Sequence, residues 1–167
     1  MFRSRPQPTP PAPGQESVWD YPRPPRLERA RQRIEIVLGG VRIADTDQAF
    51  RVLETSHPPS YYLPREAFVP GVLSPAPGRS VCEWKGPATY WTLAAGGRVA
   101  EAAGWSYEAP TPAFVPMTGF VAVYAGPMDE CRVGGEVVTP QPGGFYGGWI
   151  TSTVVGPFKG GPGSMGW

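Results

Sequence analysis

The densest group of reactive and aromatic side chains in this sequence is the run CEWKGPATYW, Cys82–Trp91. It places a thiol, a carboxylate, an ammonium, a phenol and two indoles within one short segment. Gly86-Pro87 reads as a type II′ turn, because Gly suits the first central position and Pro fixes φ at the second. Such a turn pairs Lys85 with Ala88, Glu83 with Tyr90 and Cys82 with Trp91. Side chains alternate across a strand, so Glu83, Lys85, Tyr90 and Thr92 share one face, and Cys82, Trp84, Thr89 and Trp91 share the other. The first face is the expected lining of a polar pocket, and the second is expected core. Lys85 and Lys159 are the only lysines. Lys85 is the candidate anchor for a carboxylate, a phosphate or a sugar hydroxyl, set against a solvated turn lysine.

A second polar cluster follows Glu54. His57 is the single histidine and precedes Pro58-Pro59 on an expected loop. With Glu54 it is a candidate acid or base, set against a loop histidine without a role. Tyr62 and Arg65 follow, and Arg65 suits either an anion or a structural pair with a carboxylate. Trp105, Tyr107, Phe114, Tyr124, Phe145, Tyr146 and Trp149 add aromatic area that is mostly core, with a few suited to stacking at a cleft mouth. Cys82 reads as a small buried apolar residue rather than a nucleophile.

Several motifs are missing. No GxxxxGK[ST] loop, CxxC pair or GxSxG elbow is present. One His and two separated Cys do not make a usual structural zinc site. No metal and no cofactor are expected. Asp45-Thr46-Asp47 reads as helix capping rather than a magnesium site. These absences weaken an enzyme reading.

The elements that must position these groups are short. The 167 residues amount to one domain, with 41% hydrophobic and only 17% charged residues. The 22 Gly and 23 Pro oppose a helical bundle, while 6 Trp, 7 Tyr and 7 Phe oppose general disorder. The chain is expected to be a mainly β domain with turn-rich connections. Polar and apolar residues alternate over Arg33–Leu38, and Gly39-Gly40 and Val41–Ala44 follow, a hairpin signal. Thr46, Ala49, Phe50 and Leu53 fall at helical spacing, which predicts one short helix over Asp45–Glu54. Pro64-Arg65-Glu66 starts a turn of helix. Further strands are expected at Tyr61–Leu63, Ser80–Lys85, Ala88–Ala94, Val99–Ala103, Gly119–Ala125, Glu136–Thr139 and Ile150–Val155.

The net charge of +1 does not mark a nucleic-acid binder. Seven of the arginines lie in residues 1–33, which reads as a solvated basic arm or a contact for an acidic partner. The N-terminus carries no apolar run of signal-peptide type. The uncharged stretches Ala109–Met128 and Val137–Phe158 are too rich in Pro and Gly to read as spanning helices. Cytoplasmic location with reduced thiols, no membrane and no nucleic acid are the expectations.

The segments HPPSYYLP (His57–Pro64), CEWKGPATYW, GWSYEAPTP (Gly104–Pro112) and PQPGGFYGGWITSTVVGPFKGGPG (Pro140–Gly163) occur in this order. With them the chain resembles the bacterial family known as domain of unknown function 427, over roughly Arg33–Trp167. The tail resembles a longer subgroup whose Gly- and Trp-rich ending follows the core domain. The resemblance implies a small β-tent-like domain, two antiparallel sheets pinned at one edge, here without zinc. It puts Glu54, Tyr62, Lys85, Gly86, Tyr90, Trp105 and Tyr107 in recurrent motifs around any shared pocket. It implies no established activity, and a nucleotidyltransferase label attached to the family finds no matching metal or phosphate motif. Ala67 stands where many relatives carry an acid, so any catalysis by that acid would be lost here.

These readings divide the chain into a Pro/Arg-rich arm (1–25), a β core domain (26–139) and a C-terminal extension packing on it (140–167). The leading expectation is a small polar ligand, sugar-, nucleotide- or carboxylate-like, in an aromatic-lined cleft. Glu54, Tyr62, Arg65, Lys85, Tyr90, Trp91, Trp105 and Tyr107 are the candidate contacts. The alternatives are an enzyme acting on a sugar or nucleotide, and an assembly module, with a homo-oligomer as a candidate state.

Overall fold

In the computed structural model, which describes residues 5–167, the chain is mainly β. The first four residues of the Pro/Arg-rich arm lie outside the described part. Two four-stranded antiparallel sheets carry most of the structure. Sheet I has the order Glu136–Val137, Glu130–Val133, Ile34–Leu38, Val41–Thr46. Sheet II has the order Val121–Val123, Arg98–Ser106, Gly86–Ala95, Leu73–Cys82. A three-stranded sheet of Arg26–Arg29, Phe50–Leu53 and Ser60–Tyr62 joins sheet II through reciprocal backbone hydrogen bonds between Leu63 and Val121, at 2.9 and 2.8 Å. No barrel closes. No helix among the described residues is long and apolar enough to cross a membrane.

The main core follows from alternation. Ile34, Ile36 and Leu38 of sheet I point inward and are fully buried. They meet Leu93, Ala103 and Val121 of sheet II, together with Leu63 and Trp149. The sheets also touch at a corner, where the Gly39-Gly40 turn lies on the Gly96-Gly97 turn. A Cβ on Gly39 would stand 2.2 Å from the Ala95 carbonyl oxygen, and one on Gly96 would stand 1.9 Å from that of Gly39. Only glycine fits this approach. Asp129 completes it by accepting the Gly40 N–H at 2.7 Å.

Two expectations need correction. No helix covers Asp45–Glu54. Val41–Thr46 and Phe50–Leu53 are strands, with a turn between them. Thr46 Oγ1 accepts the Gln48 N–H at 2.9 Å, a local bond that competes with helix. Asp45 forms a bidentate pair with Arg33 instead of capping. The spacing of Thr46, Ala49, Phe50 and Leu53 is met equally by two strands folded at a turn. The helical content consists of 3₁₀ turns, the longest at Pro112–Met117. The turn expected at Pro64 forms at Arg65–Ala67.

The second correction is the register of the reactive hairpin. Cys82 pairs with Gly86, Val81 with Pro87 and Ser80 with Ala88. The turn is Glu83-Trp84-Lys85, and Gly86 closes it with φ +103°. Thr111 holds this turn, its N–H donating to the Lys85 carbonyl at 3.1 Å and its hydroxyl to the Trp84 carbonyl at 2.6 Å. A bulge between Ala76 and Arg79 shifts the pairing once more farther along the strands. Ser80, Cys82, Ala88 and Tyr90 therefore share a face, and Trp91 lies on the opposite one.

The termini interlock. Glu16–Ser17 pairs in parallel with Val154–Val155. Trp19 donates its indole N–H to the Pro157 carbonyl at 2.9 Å and stands edge-on to Trp167. Arg51 bridges Glu16 and Glu28, tying the first strand to the three-stranded sheet.

The corner contact separates two neighbouring substitutions. Gly39→Ala forces the turns apart and should lower unfolding free energy by about 3 kcal/mol or more. Gly40→Ala, with open space around its Cβ, should cost only the left-handed backbone strain of about 1 kcal/mol. Urea unfolding of both variants checks this, and equal losses would remove the corner as a constraint.

Candidate functional site

The register shift builds a cleft of about 540 Å³ between sheet II, the three-stranded sheet and the C-terminal extension. Sheet II and its turns contribute Cys82, Trp84, Lys85, Tyr90, Trp105 and Tyr107. The three-stranded sheet and the loop between its strands Phe50–Leu53 and Ser60–Tyr62 contribute Glu54, His57 and Tyr62. The extension closes the third side with Gln141, Phe145, Tyr146 and Gly147.

Its floor is aromatic. Tyr62 is fully buried, and its hydroxyl accepts the Trp105 indole N–H at 3.3 Å. Tyr107 stands 6.3 Å from Tyr62 and Tyr124 stands 4.7 Å from Trp105, centroid to centroid. Burial pushes the Tyr62 and Tyr107 phenols well above their ordinary range, so both remain neutral. The Lys85 ammonium lies 5.7 Å from the Tyr107 ring centroid and makes no ion pair among the described residues. Tyr90 exchanges a hydrogen bond with Ser80.

Glu54 and His57 meet because the chain turns sharply between them. Ser56, fully buried, takes φ +72°, a left-handed conformation unusual for a residue with a side chain. Its N–H donates to the Val18 carbonyl and its carbonyl accepts the Lys159 N–H, at 3.0 and 2.8 Å. His57 Nε2 comes to 3.4 Å from Glu54 Oε2, and Arg23 Nε lies 3.6 Å from the same oxygen. Tyr146 packs edge-on against the imidazole. Burial, reinforced by Lys159, Arg23 and Lys85, pushes the His57 imidazole down to about 4. The carboxylate opposes this, but Arg23 shares its charge, so His57 is neutral at pH 7.

Six of the eight expected contacts line the cleft: Glu54, Tyr62, Lys85, Tyr90, Trp105 and Tyr107. Arg65 and Trp91 do not. Arg65 pairs with Glu108 and lies 4.6 Å over the Trp91 ring, on the opposite face of sheet II. The Trp91 indole donates to Ser106 Oγ at 2.9 Å there. Trp91 alternates with Tyr90 along the strand and so faces away from the cleft in either register, and Arg65 lies outside the hairpin and is held by Glu108. The corrected register brings Cys82, expected in the core, to the cleft wall. Gln141 and Gly147 were not expected at the site, while Phe145 and Tyr146 belong to the aromatics of which a few suited a cleft mouth. Gly147 was legible only as part of a Gly-Gly pair; a Cβ there would stand 2.1 Å from the Trp105 ring.

Both cysteines are free. Burial pushes the Cys131 thiol up to about 12, which leaves it an inert core group. No cluster of three or more His, Cys, Asp or Glu that could hold a metal occurs among the described residues. The run GPGSMG at Gly161–Gly166 has the glycine spacing of a dinucleotide loop, but it lies in turns with no helix after it.

Residues 26–134 match the family described as Domain of unknown function (DUF427). No curated protein matches the chain.

The neutral, buried His57 makes a prediction about acid stability. Its affinity for protons is lower folded than unfolded, so unfolding takes up a proton as pH falls from about 6.5 toward 4. Stability is complete above pH 6.5 and should decline across that window by up to about 3 kcal/mol. Glu16, Asp45 and Asp129, held low by Arg51, Arg33 and the Gly40 N–H respectively, add acid losses only at lower pH. Denaturant unfolding between pH 7 and 5 should therefore slope in wild type and flatten in His57→Gln. An equal slope in both would refute a buried neutral imidazole.

Proposed function

The chain belongs to the DUF427 family, and from that premise we propose that it binds a small polar ligand in the cleft between Glu54 and Lys85. The observation that carries this reading is the combination in one concavity of tilted and edge-on aromatic rings, an ammonium without an ionic partner among the described residues, a carboxylate and several phenols. Such walls suit a ligand that stacks through an apolar face and hydrogen-bonds around its edge. The candidates are sugar-like, nucleotide-like and carboxylate-like molecules. Among the described residues Lys85 is the one cation lining the cleft, against the carboxylates of Glu54 and Glu83. That balance favours an uncharged, hydroxyl-bearing molecule or a single anionic group over a polyphosphate.

A second reading, an enzyme acting on a sugar or nucleotide, draws on Glu54. Its two close partners both engage Oε2, and Oε1 makes no hydrogen bond or ion pair among the described residues. A general base there would be Glu54 through its open Oε1, and His57 would supply no general acid, because its imidazolium is not populated at neutral pH.

A thermal-shift panel of sugars, sugar phosphates, nucleotides with and without magnesium, and small organic acids tests the binding reading. A ligand at ~100-fold excess over Kd adds about 2.7 kcal/mol, roughly 5–10 °C for a chain of this size. Lys85→Ala should abolish the shift while folding normally. A shift of equal size in Lys85→Ala would move the binding site elsewhere, and turnover lost in Glu54→Gln with binding retained would establish the enzyme reading.

A further inference from the structure

Gln141 lies outside the family-matched region, is almost fully buried, and reaches the cleft from behind His57. Its amide is oriented by two backbone groups of opposite character. The Gly148 N–H donates to Gln141 Oε1 at 3.1 Å, and Gln141 Nε2 donates to the Lys159 carbonyl at 2.8 Å. Turning the amide over would set N–H against N–H and oxygen against oxygen, so only one orientation satisfies both. In that orientation Nε2 lies 2.9 Å from His57 Nδ1 as a donor. Nδ1 must then offer a lone pair, and the ring proton sits on Nε2, toward Glu54.

We infer that Gln141 is a positioning residue of the cleft: it holds His57 as the Nε2–H tautomer, which presents Glu54 as a fixed acceptor for a hydroxyl or ammonium of the ligand. The inference rests on the ligand reading above and specifies one end of that ligand. The groups around the pair agree with it. Arg23 flanks Glu54 Oε2, Lys159 and Lys85 place positive charge near the ring, and Tyr146 covers its edge. These cations disfavour an imidazolium. The extension thereby acts on a carboxylate that belongs to the family-matched region.

The single histidine makes the test direct, because every imidazole signal belongs to His57. Long-range ¹H–¹⁵N correlation spectra of the full chain, without ligand, distinguish the two ring nitrogens by their coupling to the ring protons. Wild type should show a protonated Nε2 and an unprotonated Nδ1 from pH 7 to pH 5. Gln141→Glu replaces the donor by an acceptor and should move the proton to Nδ1 or give an imidazolium at pH 7. Gln141→Leu leaves Nδ1 without a donor and should give mixed tautomers. A protonated Nδ1 in wild type, or a Gln141→Leu spectrum matching wild type, overturns the positioning role. If the variants fail to fold, the wild-type spectrum alone decides. No ligand is needed, so this outcome separates from the binding panel. A silent panel beside the expected tautomer overturns the recognition role of Glu54 and leaves the relay as a packing device.

Discussion

The close approach of Gly147 and Gly148 to the domain surface is the contact on which the site depends. Gly147 lies against the Trp105 ring, and a Cβ on Gly148 would stand 2.5 Å from the Pro58 carbonyl oxygen. Without side chains at these two positions the extension can lie flat on the domain. The next residue, Trp149, then enters the main core and donates its indole N–H to the Val123 carbonyl at 2.9 Å. A buried indole contributes large apolar area and requires a partner for its N–H, so this anchor fixes the extension's position closely. Gln141, Phe145 and Tyr146 are carried to the cleft as a consequence.

That arrangement gives the cleft two chemically different sides. The family-matched region supplies Lys85, Tyr62, Tyr90, Trp105 and Tyr107, a wall of donors and rings. The extension supplies no charge to the lining, but it encloses the Glu54–His57 pair and lowers the dielectric around it. Desolvation is the largest cause of the low proton affinity of His57. Burial therefore pushes toward a neutral ring, and the donor from Gln141 fixes which ring nitrogen carries the proton.

The terminal segments reinforce each other. Trp19 contacts both Pro157 and Trp167, and Ser56 accepts Lys159 while donating to Val18. The left-handed Ser56 costs about 1 kcal/mol of backbone strain. It persists because segments far apart in sequence hold it on both sides, and it places Glu54 and His57 within reach of each other.

Local signals in the sequence determined a good share of this protein. Alternation over Arg33–Leu38 and the Gly39-Gly40 pair specified the first hairpin, because a two-residue turn needs left-handed backbone that glycine supplies. Gly and Pro content specified a mainly β domain, and the motif residues from Glu54 to Tyr107 marked most of the cleft. Only the tertiary structure decided the rest. The helical spacing of Thr46 to Leu53 was a coincidence of two strands, settled by pairing with Arg26–Arg29 and Ser60–Tyr62. The register of the Cys82–Trp91 hairpin was settled by Thr111, twenty residues beyond the segment, and a register change moves every side chain relative to its neighbours. Cys82 entered the site for that reason, whereas Trp91 faces away in either register and Arg65 is held beside it by Glu108. Gln141 and Tyr146 joined because an anchored Trp149 folds the extension back, a long-range contact that no local periodicity encodes.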